Sequence, residues 1–239
     1  MKVSEPFVLT MLVVMPLFLM AFFKPIAGLA LQSSGIQGAS GWQQSVPGMM
    51  ITFGFFVVGI IAFSAINERT WGTWEQLRMF TSHSYEILAG KIISPMLLCL
   101  GQIALLFALA MVLFGLTISS YGVLVAVSVC LCACIVTMGL ATAGVCRTLP
   151  QANIISNLAV VGFGCLGGAF LPLHVLPGWA QAVAPVTPTY WAMRGYSVSL
   201  LPSNNSPSWA WSCAVLLAFS VTFAAVAAWT FRIGESRMR

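Results

Sequence analysis

The hydrophobic pattern of the chain is a series of long, continuous apolar runs, separated by a few charged and turn-forming residues. No Asp, Glu, Lys or Arg occurs between Lys24 and Glu68 or between Lys91 and Arg147. A membrane-spanning helix needs about 20 residues, so each of these stretches holds more than one crossing, and turn residues divide it. The sequence predicts six spans, at about 7–23, 47–66, 92–114, 121–146, 153–171 and 209–231.

The predicted fold class is an all-α polytopic membrane protein with six transmembrane helices. Continuous apolar runs favour helices, because the strands of a membrane barrel alternate apolar and polar residues over about ten positions. We expect one membrane domain over residues 1–239. A charged segment joins spans two and three, and an external segment rich in proline and aromatic residues, predicted to be re-entrant or interfacial, precedes span six.

Composition agrees with this fold class. The chain is 59% apolar and 6% charged, with a mean hydropathy of +0.97, whereas soluble domains carry roughly 25% charged residues. Too few charges are present to cover a surface in water. A soluble enzyme, a disordered tail and a secreted disulfide scaffold are therefore excluded.

The distribution of Lys and Arg predicts the orientation, because cytoplasmic loops carry the excess of basic residues. With the amino terminus inside, Lys24 and Arg194 face out and all other basic residues face in. The predicted cytoplasmic set is Lys2, Arg69, Arg78, Lys91, Arg147, Arg232, Arg237 and Arg239. Both termini are thus predicted to be cytoplasmic. The first apolar run is interrupted by Pro16 and is longer than the usual core of a signal peptide, so we interpret it as a span.

The carboxylates all lie outside the predicted spans: Glu5, Glu68, Glu75, Glu86 and Glu235. Placing an ionisable residue inside a bilayer costs free energy, and such residues are usually functional. The absence of carboxylates from the predicted spans therefore weighs against a proton- or sodium-driven carrier. His83 and His174 fall on opposite sides of the predicted membrane, and no nucleophile or acid is placed beside either. We predict no catalytic residue, although a stand-alone carrier or channel stays an alternative.

Seven cysteines lie in or next to the spans. Cys130, Cys132 and Cys134 have a spacing that could suggest a metal site, but steps of two residues point to different sides of a helix. Small apolar residues at packing positions are the favoured interpretation. We predict no metal and no cofactor bound by this chain.

A few polar and small residues within the spans are candidates for function. Polar side chains that could face a transport path are Gln102, Asn153, Ser156 and Asn157. Gly164 and Gly168 have the small-xxx-small spacing that permits close helix approach, either within one chain or between two chains.

The charged segment from Asn67 to Lys91 has the pattern of short amphipathic elements at the cytoplasmic interface. It contains Glu68-Arg69-x-x-Gly72-Thr73-x-Glu75-x-Leu77 and then Ser84-x-Glu86-Ile87-Leu88-x-Gly90-Lys91. This segment resembles the loop after the second span in permease subunits of the type-2 ABC exporter (ABC-2) family.

A second stretch carries the same resemblance. It runs from Gly167-Gly168-Ala169-Phe170-Leu171-Pro172 through Pro177-Gly178-Trp179 to Ala184-Pro185-Val186-Thr187-Pro188 and Tyr190. This pattern is similar to the family's segment from the end of span five into the last external loop. The resemblance covers about residues 5–235.

The resemblance implies a permease that works as a pair with two separate ABC ATPase subunits, which hold ATP and Mg. It assigns the contact with the ATPase to a coupling segment with candidate residues Glu68, Arg69, Gly72, Thr73, Glu75, Arg78, Glu86 and Lys91. The resemblance also makes Gly164 and Gly168 candidates for the interface with a second permease copy or relative. An external lid or exit is expected at Pro172, Pro177, Trp179 and Tyr190.

The expected function is export of an amphiphilic or hydrophobic compound, such as a drug, antibiotic, peptide or lipid. The expected location is the bacterial cytoplasmic membrane, in contact with lipids. A polysaccharide or haem exporter on the same architecture is the alternative implied by the family. No basic patch supports nucleic-acid binding.

Overall fold

The computed structural model describes residues 4–33, 40–70, 84–146, 148–200 and 209–236, with side chains described at 13–32, 40–68, 90, 92–146, 148–200 and 209–230. The long helices are α1 (Ser4–Ser33), α2 (Trp42–Thr70), α3 (Ser84–Phe114), α4 (Tyr121–Val145), α5 (Leu149–Leu166) and α8 (Trp209–Ser236). Between α5 and α8 lie α6 (Gly178–Val183), α7 (Pro188–Leu200) and two 3₁₀ turns at Leu173–Val175 and Ala184–Val186.

Six helices are long and apolar enough to cross a membrane within the described ranges, which confirms the predicted fold class. The helix bounds differ from the predicted spans. Helix α1 continues past Phe23 to Ser33, and α2 begins at Trp42 rather than at Pro47. Helix α5 begins at Leu149, and Thr148 caps it by accepting a hydrogen bond from the Gln151 amide. The helix ends at Leu166, before the predicted end at Leu171.

Helix α4 lies at the centre of the bundle, packed against α2, α7 and above all α8. Its sequence is apolar on every side, and its buried residues occupy most of its circumference, while Val125 and Val129 are exposed. Small residues let the neighbours approach closely: Gly139 faces Ile61 of α2, and Gly144 faces Thr230 of α8. Close approach of this kind maximises dispersion contacts between apolar helices.

One end of the bundle is closed by the segment between α5 and α8. His174 Nε2 donates a hydrogen bond to the Ala30 carbonyl at 3.0 Å, which ties this segment to the end of α1. The backbone amide of Ser119, in the turn between α3 and α4, donates to the Ser199 carbonyl of α7 at 2.8 Å. Helix α7 also carries the fully buried Tyr196 into the core. Residues 167–200 are therefore folded onto the bundle.

Candidate functional site: a groove between α2 and α5

A groove of about 880 Å³ runs between α2 and α5. The two helices are antiparallel, so the end of α2 lies beside the beginning of α5. The lining extends from Phe56 to Glu68 along α2, a rise of roughly 18 Å, and from Leu149 to Val160 along α5. Because both flanking helices are candidate spans, most of the groove lies at membrane depth.

The α2 side of the groove is apolar. Phe56, Ile60 and Phe63 follow one another at helical spacing on a single face, and 39–54% of each side chain is exposed in the single chain. Gly59 lies beside this row, where a Cβ atom would meet the Ser156 side chain at ordinary contact distance. Gly59 and Ser156 therefore face each other in the groove, where α2 and α5 approach.

The α5 side of the groove is polar. Asn157 Nδ2 donates a hydrogen bond to Asn153 Oδ1 at 3.0 Å, and both side chains are exposed. Ser156 lies between Asn153 and Asn157 in the sequence. Its side chain is 4% exposed, and its hydroxyl has no hydrogen-bond partner. Asn157 lies eight residues, roughly 12 Å, inside the helix from Leu149. Exposed amides at this depth are costly against hydrocarbon, so this face is suited to a polar ligand, water or protein.

The end of the groove is formed by Asn67, Glu68 and Ser64. Ser64 Oγ donates a hydrogen bond to Glu68 Oε1 at 3.4 Å. Glu68 thus joins the groove to the predicted coupling segment, which begins at this residue. The structure adds this connection to the sequence prediction.

The side chains of the other predicted coupling residues lie outside the described part of the chain. Gly72, Thr73, Glu75 and Arg78 lie outside the described residues. Arg69 lies in the last turn of α2, and Glu86 and Lys91 lie in the first turns of α3, but their side chains are outside the described part of the chain. Their role stays a prediction.

Gly164 and Gly168 do not form the small-xxx-small pair expected within span five, and their role between two permeases stays a prediction. Helix α5 ends at Leu166, so the two glycines do not share a helix face. A Cβ atom at Gly164 would meet Phe170 and Thr52 of the same chain. Gly168 has a φ of +79°, which favours glycine, and its carbonyl accepts a hydrogen bond from Gln44 Nε2 at 2.7 Å. Both residues serve packing and turning within this chain.

The predicted external lid residues lie in the segment between α5 and α8. Pro172 precedes the first 3₁₀ turn and Pro177 precedes α6. Trp179 of α6 is exposed, whereas Tyr190 accepts a hydrogen bond from Arg194 Nη1 at 2.8 Å. Tyr190 is therefore held against its own helix, and a gating role for these residues stays a prediction.

Two further sets of polar candidates occupy packing positions. Gln102 is 7% exposed in α3, away from the groove lining, and neither end of its amide has a hydrogen-bond partner. Cys130, Cys132 and Cys134 are all buried in α4. No group of three or more metal-ligating side chains is assembled among the described residues.

The apolar half of the groove was not predicted from the sequence. The spacing of Phe56, Ile60 and Phe63 is a helical signal, but it is hidden in a run where nearly every residue is apolar. Asn153, Ser156 and Asn157 were candidates, and the structure brings these three to the groove and separates them from Gln102.

Comparison with known proteins gives two matches. A family model described as ABC-2 type transporter matches residues 3–201. The linearmycin resistance permease protein LnrN of Bacillus subtilis (strain 168) is 29% identical over 189 residues, which is 78% of this chain and 49% of that protein. The chain thus spans about half the length of this curated relative.

Proposed function

Because this chain belongs to the ABC-2 type transporter family, we propose that it is the permease half of an ATP-driven exporter for an amphiphilic or hydrophobic compound. The protein is an integral, multi-pass membrane protein, and its relative is named as a linearmycin resistance permease. That name supports a drug or antibiotic as the exported compound.

The observation that carries the proposal is the groove between α2 and α5. It combines an apolar wall at Phe56, Ile60 and Phe63 with amides at Asn153 and Asn157, inside two candidate spans. An amphiphile needs both kinds of surface: the wall accepts its apolar part, and the amides accept its polar part. An aromatic row alone could face lipid, but the exposed amides beside it are costly against hydrocarbon.

The energy for transport comes, in this proposal, from separate ABC ATPase subunits that bind ATP and Mg. The permease itself is not an enzyme. Glu68 lies at the end of the groove and at the start of the predicted coupling segment. Closure of the ATPase would therefore act on the same end of α2 that borders the groove.

The proposed assembly is a pair of permeases with twelve spans in the bacterial cytoplasmic membrane. Both termini lie in the cytoplasm, because most basic residues then face inward. In this orientation Glu68 and the beginning of α5 lie on the ATPase side, and the segment between α5 and α8 lies outside. A compound in the groove could then enter from the inner leaflet.

The test is co-purification with the ABC ATPase encoded beside this chain, followed by ATP hydrolysis in lipid. We expect a stable complex whose assembly or hydrolysis is lost in Glu68→Ala with Glu75→Ala. The double variant Glu5→Ala with Glu235→Ala changes the charge equally outside the segment, and it should keep the activity. Failure to associate under several conditions, with solute flux through the chain alone, would instead identify a carrier or channel.

A further inference from the structure

Among the described buried hydroxyls of the spanning helices, those of Ser45 and Ser156 have no hydrogen-bond partner, and of these two Ser156 lines the groove. Ser128, Thr142 and Ser220 each donate a hydrogen bond to the carbonyl four residues earlier, at 2.8–2.9 Å. This is the usual way in which a helix satisfies a buried hydroxyl. Ser156 makes no such bond. Its hydroxyl faces Gly59 of α2, where an added Cβ atom would lie 3.6 Å from Oγ.

We infer that the groove between α2 and α5 binds an amphiphile with an uncharged head that carries several hydroxyl groups, and that Ser156, Asn153 and Asn157 contact this head. That the ligand is the exported compound rests on the proposed function. The head-group preference itself rests on the chemistry of these three side chains.

The hydrogen-bonding capacity of the three residues matches hydroxyl groups. The bond from Asn157 to Asn153 leaves one N–H and the amide oxygen of Asn157 available, together with both N–H groups of Asn153. Ser156 adds a hydroxyl that can both donate and accept. The site therefore offers donors and acceptors side by side. A hydroxyl group can use both, whereas an ammonium only donates and a phosphate mainly accepts.

The described residues beside Ser156 offer no counter-charge to a charged head. Of the described residues that line the groove, Glu68 is the charged one, and it lies nine residues beyond Gly59 on α2. That separation is roughly 13 Å along the helix axis. Since an ion without a nearby counter-charge is costly in apolar surroundings, an uncharged head is favoured beside Ser156.

The apolar part of the ligand has a defined place. Phe56, Ile60 and Phe63 form a row of roughly 10 Å along α2, opposite the amides of α5. An alkyl chain on this row would lie across the groove from Asn153 and Asn157. The groove thus offers adjoining surfaces to the apolar part and to the head of an amphiphile.

The test measures protection of an introduced thiol in nanodiscs of phosphatidylcholine. Ile60→Cys places the thiol in the groove, and Cys165→Ser in the same chain removes the exposed native cysteine. The probes are three amphiphiles of equal alkyl chain length below their micellar concentration, namely a maltoside, a trimethylammonium and a phosphate. The control is Leu158→Cys, because Leu158 is 67% exposed on α5 but does not line the groove.

We expect the maltoside to slow alkylation at Ile60→Cys at lower concentration than either charged probe, and to leave Leu158→Cys unaffected. Adding Ser156→Ala or Asn157→Ala should weaken this protection about tenfold, the value of one hydrogen bond, while protection by the charged probes changes little. Ser156→Ala removes a single oxygen, so the bundle should keep its thermal stability.

Equal protection by all three probes would overturn the head-group preference, and no protection would overturn binding in the groove. Neither result depends on the ATPase, so association and hydrolysis with the partner would still test the proposed function separately. Where the maltoside protects, its effect on ATP hydrolysis distinguishes the source of the ligand. Stimulation identifies a transported compound, and unchanged hydrolysis with a co-purified glycolipid identifies a resident lipid; both results support the head-group assignment.

Discussion

The hydroxyl of Tyr196 lies 2.9 Å from Ser128 Oγ, in the core where α7 packs against α4. Ser128 uses its own proton in a 2.8 Å hydrogen bond to the Leu124 carbonyl. Tyr196 must therefore be the donor, since a serine hydroxyl has one proton. Burial raises the pKa of the Tyr196 phenol above its usual value, in spite of the opposing effect of Ser128. The phenol keeps the proton that this bond requires.

Replacing Tyr196 tests how this contact holds α7 on the bundle. Tyr196→Phe removes one buried hydrogen bond and should cost about 1 kcal/mol of stability. Tyr196→Ala also leaves a cavity and should cost about 3–5 kcal/mol. Apparent melting temperatures in one detergent compare the variants, with Tyr121→Phe as the control because Tyr121 is largely exposed. A Tyr196→Ala variant as stable as Tyr121→Phe would contradict the packing of α7 described here.

Gly48 marks the closest approach between α2 and the turn after α5. A Cβ atom at this position would overlap the carbonyl oxygen of Ala169. We expect Gly48→Ala to destabilise the protein by roughly 1–3 kcal/mol, because backbone atoms must shift to admit the methyl group. The matched control is Gly101→Ala in α3, where the added methyl meets no neighbouring atom. That variant should be neutral or slightly stabilising, and equal melting temperatures for the two would count against the close contact.

The number and type of the spanning helices could be predicted because every apolar run is continuous. Their ends were harder to predict. The polar run that includes Gln43 and Gln44 indicates a loop, but both residues lie in the first turn of α2. Gln43 Oε1 accepts a hydrogen bond from the Ser40 amide at 3.0 Å, and Gln44 Nε2 donates to the Gly168 carbonyl. The second contact spans too much of the sequence to be read from it.

The candidate site could be predicted only in part for a related reason. Asn153, Ser156 and Gln102 are equally polar residues in apolar helices, and the sequence does not distinguish a residue that faces a groove from one in the core. That distinction depends on which helix lies opposite. For Ser156 the residue that lies opposite is Gly59 of α2. No local pattern in the sequence around Ser156 indicates that neighbour.

Lys24 and Trp42 form a second contact with a measurable contribution. The ammonium of Lys24 lies 4.6 Å from the centre of the Trp42 indole, which stacks on Phe114 with ring centroids 4.1 Å apart. This arrangement joins α1, α2 and α3 at one end of the bundle. Lys24→Met keeps most of the aliphatic stem and removes the charge, so we expect a loss of about 0.5–1 kcal/mol. Trp42→Leu should cost more, because it removes the cation–π contact and the aromatic stack together.

The comparison of these two variants is the informative measurement. Melting temperatures should fall in the order wild type, Lys24→Met, Trp42→Leu, and the effect of Lys24→Met should disappear in a chain that already carries Trp42→Leu. Additive losses in the double variant would show that Lys24 acts on something other than the indole.

The proposed pairing of permeases can be tested through α5. Ile154, Leu158 and Val161 are largely exposed along one face of this helix, and Cys165 continues the same face one turn further. The other six cysteines are buried.

If a second copy packs on this face, a short thiol-specific cross-linker in native membranes should give a product of twice the chain mass, and Cys165→Ser should abolish it. Moving the thiol to the neighbouring face, with Cys165→Ser and Gly162→Cys, should reduce the yield. Product formation that is insensitive to Cys165→Ser, or absent while the complex with the ATPase remains intact, would place the contact between permeases on another surface and leave this face of α5 to lipid.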